Sequence, residues 1–153
     1  MNEPSFEDGI TLLEIVCVLA IFAFLAAIVL PAMPRGTTRS GLEAYSMAAA
    51  SVLKADRNAA IRRGTVVATS LSLTAGTIRS GANGRVVQLP RDITFHAVLA
   101  DQCGGQSVGT VILFLPSGMS CGGTIIFTRP GVGYEIRVGW LTGGVEIVPA
   151  NVL

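Results

Sequence analysis

The stretch that decides the fold is Gly9-Ile10-Thr11-Leu12-Leu13-Glu14, which opens an apolar run. Glu14 is the only charged residue between Ile10 and Met33, and residues 15–30 contain no polar side chain. A helix over residues 10–30 would be roughly 31 Å long, about the thickness of a bilayer's hydrocarbon core. A lone carboxylate near the bilayer centre costs about 2.5–3.5 kcal/mol. The sequence therefore predicts a membrane helix over residues 10–33 whose Glu14 needs a stabilising partner.

Residues 1–9 form a short polar leader that ends in glycine. Gly9, Ile10 and Glu14, placed ahead of the apolar run, resemble the processing site of type IV pilins and of the pseudopilins of type II secretion. The resemblance implies that a prepilin peptidase cleaves between Gly9 and Ile10 and that the new amine of Ile10 is methylated. It also implies that Glu14 pairs with the N-terminal amine of a neighbouring subunit, which would offset its cost in lipid. Ile10 departs from the family, which usually has phenylalanine there.

Two other interpretations of the N-terminus exist. A secretory signal peptide needs a basic head and an apolar core of about 7–15 residues, whereas no Lys or Arg precedes Arg35 here. An ordinary uncleaved anchor is the stronger alternative. The acidic leader also conflicts with the positive-inside rule, because Arg35 and Arg39 follow the apolar run. The resemblance implies a single-pass protein of the bacterial inner membrane, with a cytoplasmic N-terminus and a periplasmic head.

A second helix is predicted within residues 34–63. Pro31 and Pro34 interrupt the first helix, and Pro31 is the expected kink. From Ser40 to Arg63, one stripe recurs at a spacing of three to four residues. Its members are Leu42, Tyr45, Ala49, Val52 or Leu53, Asp56 and Ala60. The Arg62-Arg63-Gly64 sequence is typical of a helix C-terminus, because cations complement the helix dipole and glycine adopts the capping conformation.

Residues 64–153 change to strand periodicity. The Asn83-Gly84 pair predicts a type I′ hairpin turn, and residues 101–107 read as a loop. We expect an α+β fold in which the long N-terminal helix packs on an antiparallel β-sheet or sandwich, giving a pilin-like ladle. The candidate strands are residues 65–73, 77–79, 85–89, 93–99, 110–115, 124–128, 134–140 and 145–148.

Three cysteines have separate interpretations. Cys17 lies in the apolar run and acts as a small apolar residue. Cys103 and Cys121 lie in the polar head, where an oxidising compartment would favour a disulfide over free thiols. A zinc site is the weakest alternative, because it needs further ligands and His96 is the only histidine.

The C-terminal half carries a second resemblance. The segment Phe114-Leu115-Pro116-Ser117-Gly118, the Gly122-Gly123 pair before a strand, and Thr142-Gly143-Gly144-Val145 are together similar to the GspH/FimT family of minor pseudopilins and minor pilins. These turn motifs are expected to be purely architectural.

The resemblance implies a minor pseudopilin of a type II secretion system at or near the pseudopilus tip, where it helps to export folded proteins across the outer membrane. Implied partners are the other minor pseudopilins and the major one, the prepilin peptidase and methylase, and the inner-membrane assembly platform, with the secretin and exoproteins as further candidates. The alternative is a FimT-like minor type IV pilin involved in pilus assembly or DNA uptake.

No catalytic or cofactor motif stands out in the sequence, so the chain is expected to be a structural subunit that has no metal and no cofactor. His96 alternates with apolar neighbours and suits a strand face or edge. The formal charge is +1, and removal of the three leader acids raises it to +4, which gives little reason to expect nucleic acid. Arg129 and Arg137 are the only late cations. A singly anchored periplasmic enzyme is the rival from another class.

Overall fold

The computed structural model describes residues 11–29 and 36–151, which belong to two separate compact units. The first unit contains helix α1, Leu12–Val29. The second unit, the head, contains helix α2, Arg39–Arg63, followed by ten strands. These are β1 Val67–Ser72, β2 Thr77–Arg79, β3 Val86–Gln88, β4 Thr94–Leu99, β5 Gln102–Cys103, β6 Gln106–Ser107, β7 Val111–Phe114, β8 Gly123–Arg129, β9 Val132–Val138 and β10 Val145–Pro149.

The described part of α1 is apolar on all sides, and every side chain from Thr11 to Ala27 is exposed. Within the described ranges, no helix combines the length and the apolarity needed to cross a membrane. The predicted membrane segment 10–33 runs past both ends of α1. Its spanning role stays a prediction, as do the assignments to Gly9, Ile10 and Pro31, which lie outside the described residues.

Helix α2 begins and ends where its capping residues predict. The Thr38 hydroxyl oxygen accepts a hydrogen bond from the backbone N–H of Gly41 at 3.1 Å, which satisfies one of the unpaired donors of the first turn. At the other end, Gly64 has φ of 63° and donates its N–H to the carbonyl of Ala60. The predicted stripe is confirmed as the packing face, because its members are buried except for the half-buried Tyr45.

The head contains two four-stranded antiparallel sheets, in the orders β3-β2-β1-β7 and β10-β9-β8-β4. Helix α2 contacts both, mainly through β1, β9 and β10. The core between them is fully buried at Leu42 and Leu53 of α2, Ile112 and Phe114 of β7, and Ile125 and Phe127 of β8. The predicted α+β architecture is therefore confirmed, and eight of the antiparallel strands form these two sheets, while β5 and β6 pair with each other.

The β2–β3 connection differs from the predicted type I′ turn. That turn requires positive φ at both central residues, but no non-glycine residue in the described chain has positive φ, so Asn83 cannot supply one. A wider loop joins Ser80 to Arg85, with the N–H of Gly84 bonded to the carbonyl of Ser80 at 3.1 Å. The loop is wider because its amides turn inward to a side chain of α2.

The stretch 101–107, predicted as a loop, contains the small hairpin β5–β6. Gly104 and Gly105, with φ of 58° and 82°, supply the two positive angles that a two-residue type I′ turn requires. Sequence reasoning missed this hairpin because each strand is only two residues long.

Candidate functional site

Glu14, the predicted assembly residue, lies in the first turn of α1 with an exposed side chain. Its backbone N–H donates to the carbonyl of Thr11 at 3.0 Å and to the Thr11 hydroxyl at 3.3 Å. Thr11 thus caps the helix, and the Thr-x-x-Glu spacing is that of a capping box. An acid in the first turn also favours the helix dipole by about 0.3–1 kcal/mol. Glu14 therefore has a local role in starting α1, which sequence analysis missed although the spacing signals it.

The surroundings of Glu14 are apolar. Leu12, Leu13 and Leu19 are 81%, 75% and 62% exposed, and no cation of the described chain lies within ion-pair distance of the Glu14 carboxylate. A helix that is apolar on all sides must be covered by lipid or by other helices. Helix α1 therefore presents a single anion in its first turn, next to an apolar surface that lipid or other helices must cover.

The predicted disulfide is present. Cys103 in β5 and Cys121, just before β8, are bonded with a Cα–Cα distance of 5.6 Å. The bond joins the small β5–β6 hairpin to the segment between β7 and β8, where the Cys121 N–H donates to the carbonyl of Leu113 at 3.1 Å. Cys17 is a free, exposed thiol on the apolar helix α1.

Asp56 is a buried carboxylate that sequence analysis placed on the apolar stripe without assigning it a role. Its side chain has no exposed surface, and it accepts hydrogen bonds from the hydroxyls of Thr69, at 2.6 Å, and Ser80. The backbone N–H groups of Gly81 and Ala82 donate to it as well, each at 3.1 Å. Four donors replace the water that the carboxylate loses, so α2 is fastened to β1 and to the β2–β3 loop.

Arg57 fastens the other side of α2. Its Nε–H points between the carbonyls of Gly118 and Thr142, at 3.0 Å from each. These residues belong to two of the three motifs that carry the family resemblance. A Cβ on Gly143, which has φ of 60°, would collide with the carbonyl oxygen of Gly118. The motifs therefore have a packing role here, in which Arg57 holds both turns against the helix.

The two late arginines lie in different environments. Arg137 of β9 pairs with Glu135 at 2.8 Å, and this contact lowers the pKa of the Glu135 carboxyl. Arg129 ends β8 and lies close to Gly36, where the described head begins. His96 is exposed on β4, an edge strand, as expected. No group of three potential metal ligands forms among residues 11–29 and 36–151.

Comparisons with known proteins identify the fold. The minor pseudopilin EpsH from the type 2 secretion system of Vibrio cholerae superposes with a TM-score of 0.58 at 10% identity, over 74% of this chain and 98% of that chain. A second EpsH structure gives 0.56 at 11% identity, over 71% and 96%. The type IV minor pilin FimU of Pseudomonas aeruginosa gives 0.54 at 14% identity, over 72% and 90%.

No family model matches the sequence, and no curated protein matches it significantly. At these identities the superpositions show the fold alone, which is the pilin-like fold of EpsH and FimU.

Proposed function

We propose that this chain is a minor pseudopilin of a type II secretion system. Residues 10–33 would anchor it in the bacterial inner membrane, with the head in the periplasm. It would be assembled at or near the tip of the pseudopilus, the fibre that helps to drive folded proteins across the outer membrane. One observation carries the proposal: the same chain combines a head that has the fold of EpsH with an exposed apolar helix that has Glu14 in its first turn.

The physical argument starts from α1. Its apolar side chains are exposed from Leu12 to Ala27, so they can pack against the helices of other subunits, an association that van der Waals contacts and lipid entropy favour. Cleavage after Gly9 would create an amine at Ile10, the cation that Glu14 lacks among the described residues. A paired charge in a medium of low dielectric is far less costly than a lone one, and it fixes the stagger between neighbours.

The partners follow from this arrangement. They are other minor pseudopilins and the major pseudopilin, packed through α1, together with the peptidase that processes the N-terminus and the inner-membrane platform that assembles the fibre. The head would contact the secretin and the exported proteins. The proposal gives the head a contact role instead of a catalytic one.

The test uses Glu14→Gln in the full chain, expressed in its own host. Glu7→Gln is the matched control, because it removes the same charge from the leader that cleavage discards. We expect mass spectrometry to find mature chains that begin at methylated Ile10. We expect Glu14→Gln to abolish secretion while the protein stays in the membrane, and Glu7→Gln to secrete normally. An intact leader on the membrane-extracted protein, or full secretion by Glu14→Gln, would contradict the proposal.

The alternative is a minor type IV pilin that acts in pilus assembly or DNA uptake. It is supported by the superposition on FimU, whose TM-score of 0.54 is close to the values for EpsH. An electrophoretic mobility shift with the purified head, titrated with salt, separates the two functions. Strong binding of DNA with a steep salt slope would favour the alternative, because that slope counts the phosphates that are neutralised.

A further inference from the structure

We propose that the end of the head at which α2 begins binds the anionic headgroups of a phospholipid surface. The residues are Arg39, Arg91 and Arg129, here called the basal cluster. The proposal rests on the proposed function, because it assumes that α1 is held in a membrane.

Three separate segments meet at this end of the head. The backbone N–H of Thr37 donates to one Asp92 oxygen at 2.6 Å, and the Thr37 hydroxyl donates to the other at 3.0 Å. A Cβ on Gly36 would lie 3.2 Å from Asp92 Oδ2 and 3.7 Å from Arg129 Nη2. Arg91 precedes Asp92 in the chain, and Arg39 is the first residue of α2. The entry segment, the start of β4 and the end of β8 therefore bring three arginines to one place.

The cations of the basal cluster lack ion-pair partners in the described chain. Arg39 and Arg91 are exposed, and neither lies within 4.0 Å of a described carboxylate. Arg129 has its Nε buried without a hydrogen-bond partner. Two acids lie near the cluster: Asp92 accepts two hydrogen bonds from Thr37 and interacts electrostatically with Arg129, and Glu43, one turn after Arg39, accepts from the Tyr134 hydroxyl at 3.5 Å. The cluster therefore presents a net positive surface at the end where the chain enters the head.

Helix stability does not account for Arg39. A cation in the first turn of a helix faces the positive end of the dipole and is unfavourable there. Arg62 and Arg63 differ, because they lie in the last turn, and Arg63 also donates to the carbonyl of Ala82 at 3.1 Å. The charge of Arg39 therefore has no stabilising role at the start of α2 and is available to an anion outside the chain.

Chain length puts that anion within reach. Only six residues, 30–35, connect Val29 to Gly36, and such a segment spans at most about 24 Å. With α1 in a bilayer, this length lets the start of the head reach the headgroups. Each arginine near an anionic surface gains about 1 kcal/mol, or roughly fivefold in binding. Charges further than about 8 Å from the surface are screened at physiological salt, so the basal cluster contributes and distant arginines do not.

The experiment uses residues 36–153, which can fold independently because, among the described residues, every buried apolar side chain lies between Leu42 and Val138 of this unit. The fragment is sedimented with an excess of vesicles, made either of phosphatidylcholine alone or with about 30% phosphatidylglycerol. We expect binding only to the anionic vesicles. The variant R39Q/R91Q should bind about 25-fold more weakly, from fivefold per arginine.

The matched control is R79Q/R85Q, which removes the same charge from the β2–β3 hairpin, next to the C-terminal half of α2. It should change binding by less than about twofold, because its charges lie beyond the screening length. Absence of binding to anionic vesicles, or an equal loss in both variants, would overturn the proposal. Displacement by inorganic phosphate at constant ionic strength would also overturn it, since that identifies a site for free phosphate. Because this fragment lacks α1, its binding to vesicles is independent of whether the Glu14→Gln variant supports secretion.

Discussion

Replacement of Asp56 by asparagine tests whether the buried carboxylate holds the head together. Asparagine has nearly the same shape, but it replaces one carboxylate oxygen by an NH2 group. In the structure every group around the carboxylate donates: two hydroxyls and the amides of Gly81 and Ala82. The new NH2 group would therefore face the hydroxyl and amide donors that bind the oxygen it replaces, and it cannot accept from them.

The magnitude follows from the bonds that are lost. A hydrogen bond to a charged group contributes about 1.5–3 kcal/mol, and an unsatisfied buried donor costs about 1–3 kcal/mol. Each oxygen accepts one hydroxyl and one amide bond. The hydroxyls can rotate to accept from the new NH2 group, but the amides are fixed. We expect Asp56→Asn to lower the free energy of unfolding by about 3–5 kcal/mol, a large share of the 5–15 kcal/mol typical of a domain.

The assay is urea unfolding of residues 36–153 at neutral pH, followed by the fluorescence of Trp140, the only tryptophan. Asp101→Asn is the matched control, because Asp101 is exposed and its substitution should change stability by less than about 0.5 kcal/mol. A loss below about 1 kcal/mol for Asp56→Asn would refute the reasoning, since the four donors would then not depend on the charge.

Three further predictions concern the head. Replacing both Cys103 and Cys121 by serine should cost about 3 kcal/mol, the chain-entropy value for an eighteen-residue separation, and dithiothreitol should then leave the urea midpoint unchanged. Arg57→Met should cost about 1–3 kcal/mol in the same assay because two carbonyls lose their donor, whereas Arg62→Met should cost under about 0.5 kcal/mol. The Thr37 N–H holds the pKa of Asp92 below its ordinary 3.8, so this contact stabilises the head above that pH and is lost as pH falls through the lowered pKa. Asp92→Asn should therefore reduce the stability difference between pH 7 and pH 2.5, and an unchanged difference would count against the contact.

The elements with strong local signals were predictable from the sequence. Helix α2 follows from its stripe, from the basic residues of its last turn and from Gly64, because period and caps act within a few residues. The strands β7 to β10 follow from β-branched runs between glycine turns. The division of the strands between two sheets was harder to predict from the sequence, because it depends on contacts between distant segments.

The wrong prediction of the β2–β3 turn has a physical cause, which is that tertiary contacts decided the local geometry. Asn83-Gly84 favours a tight turn by itself, but two amides of the same loop bind Asp56, and the loop widens to reach it. Asp56 was visible as an acid on an apolar stripe, and that mismatch is the signal for a buried polar network. The basal cluster had no such signal, since its three arginines come from segments about 40 to 50 residues apart.

The two roles of Glu14 can be separated by the choice of substitution. The capping box accepts glutamine as well as glutamate at its third helical position, so Glu14→Gln leaves α1 its start and removes only the charge. Glu14→Ala removes both. If the carboxylate acts on the amine of a neighbouring subunit, the two substitutions should abolish secretion equally. If the side chain acts only by starting α1, as glutamate and glutamine both do at this position of a capping box, the Glu14→Gln variant should support normal secretion and the Glu14→Ala variant should not. The loss of secretion from wild type to Glu14→Gln thus measures the charge, which is the part of the residue that an assembly partner would recognise, and any further loss in Glu14→Ala measures the helix-starting role.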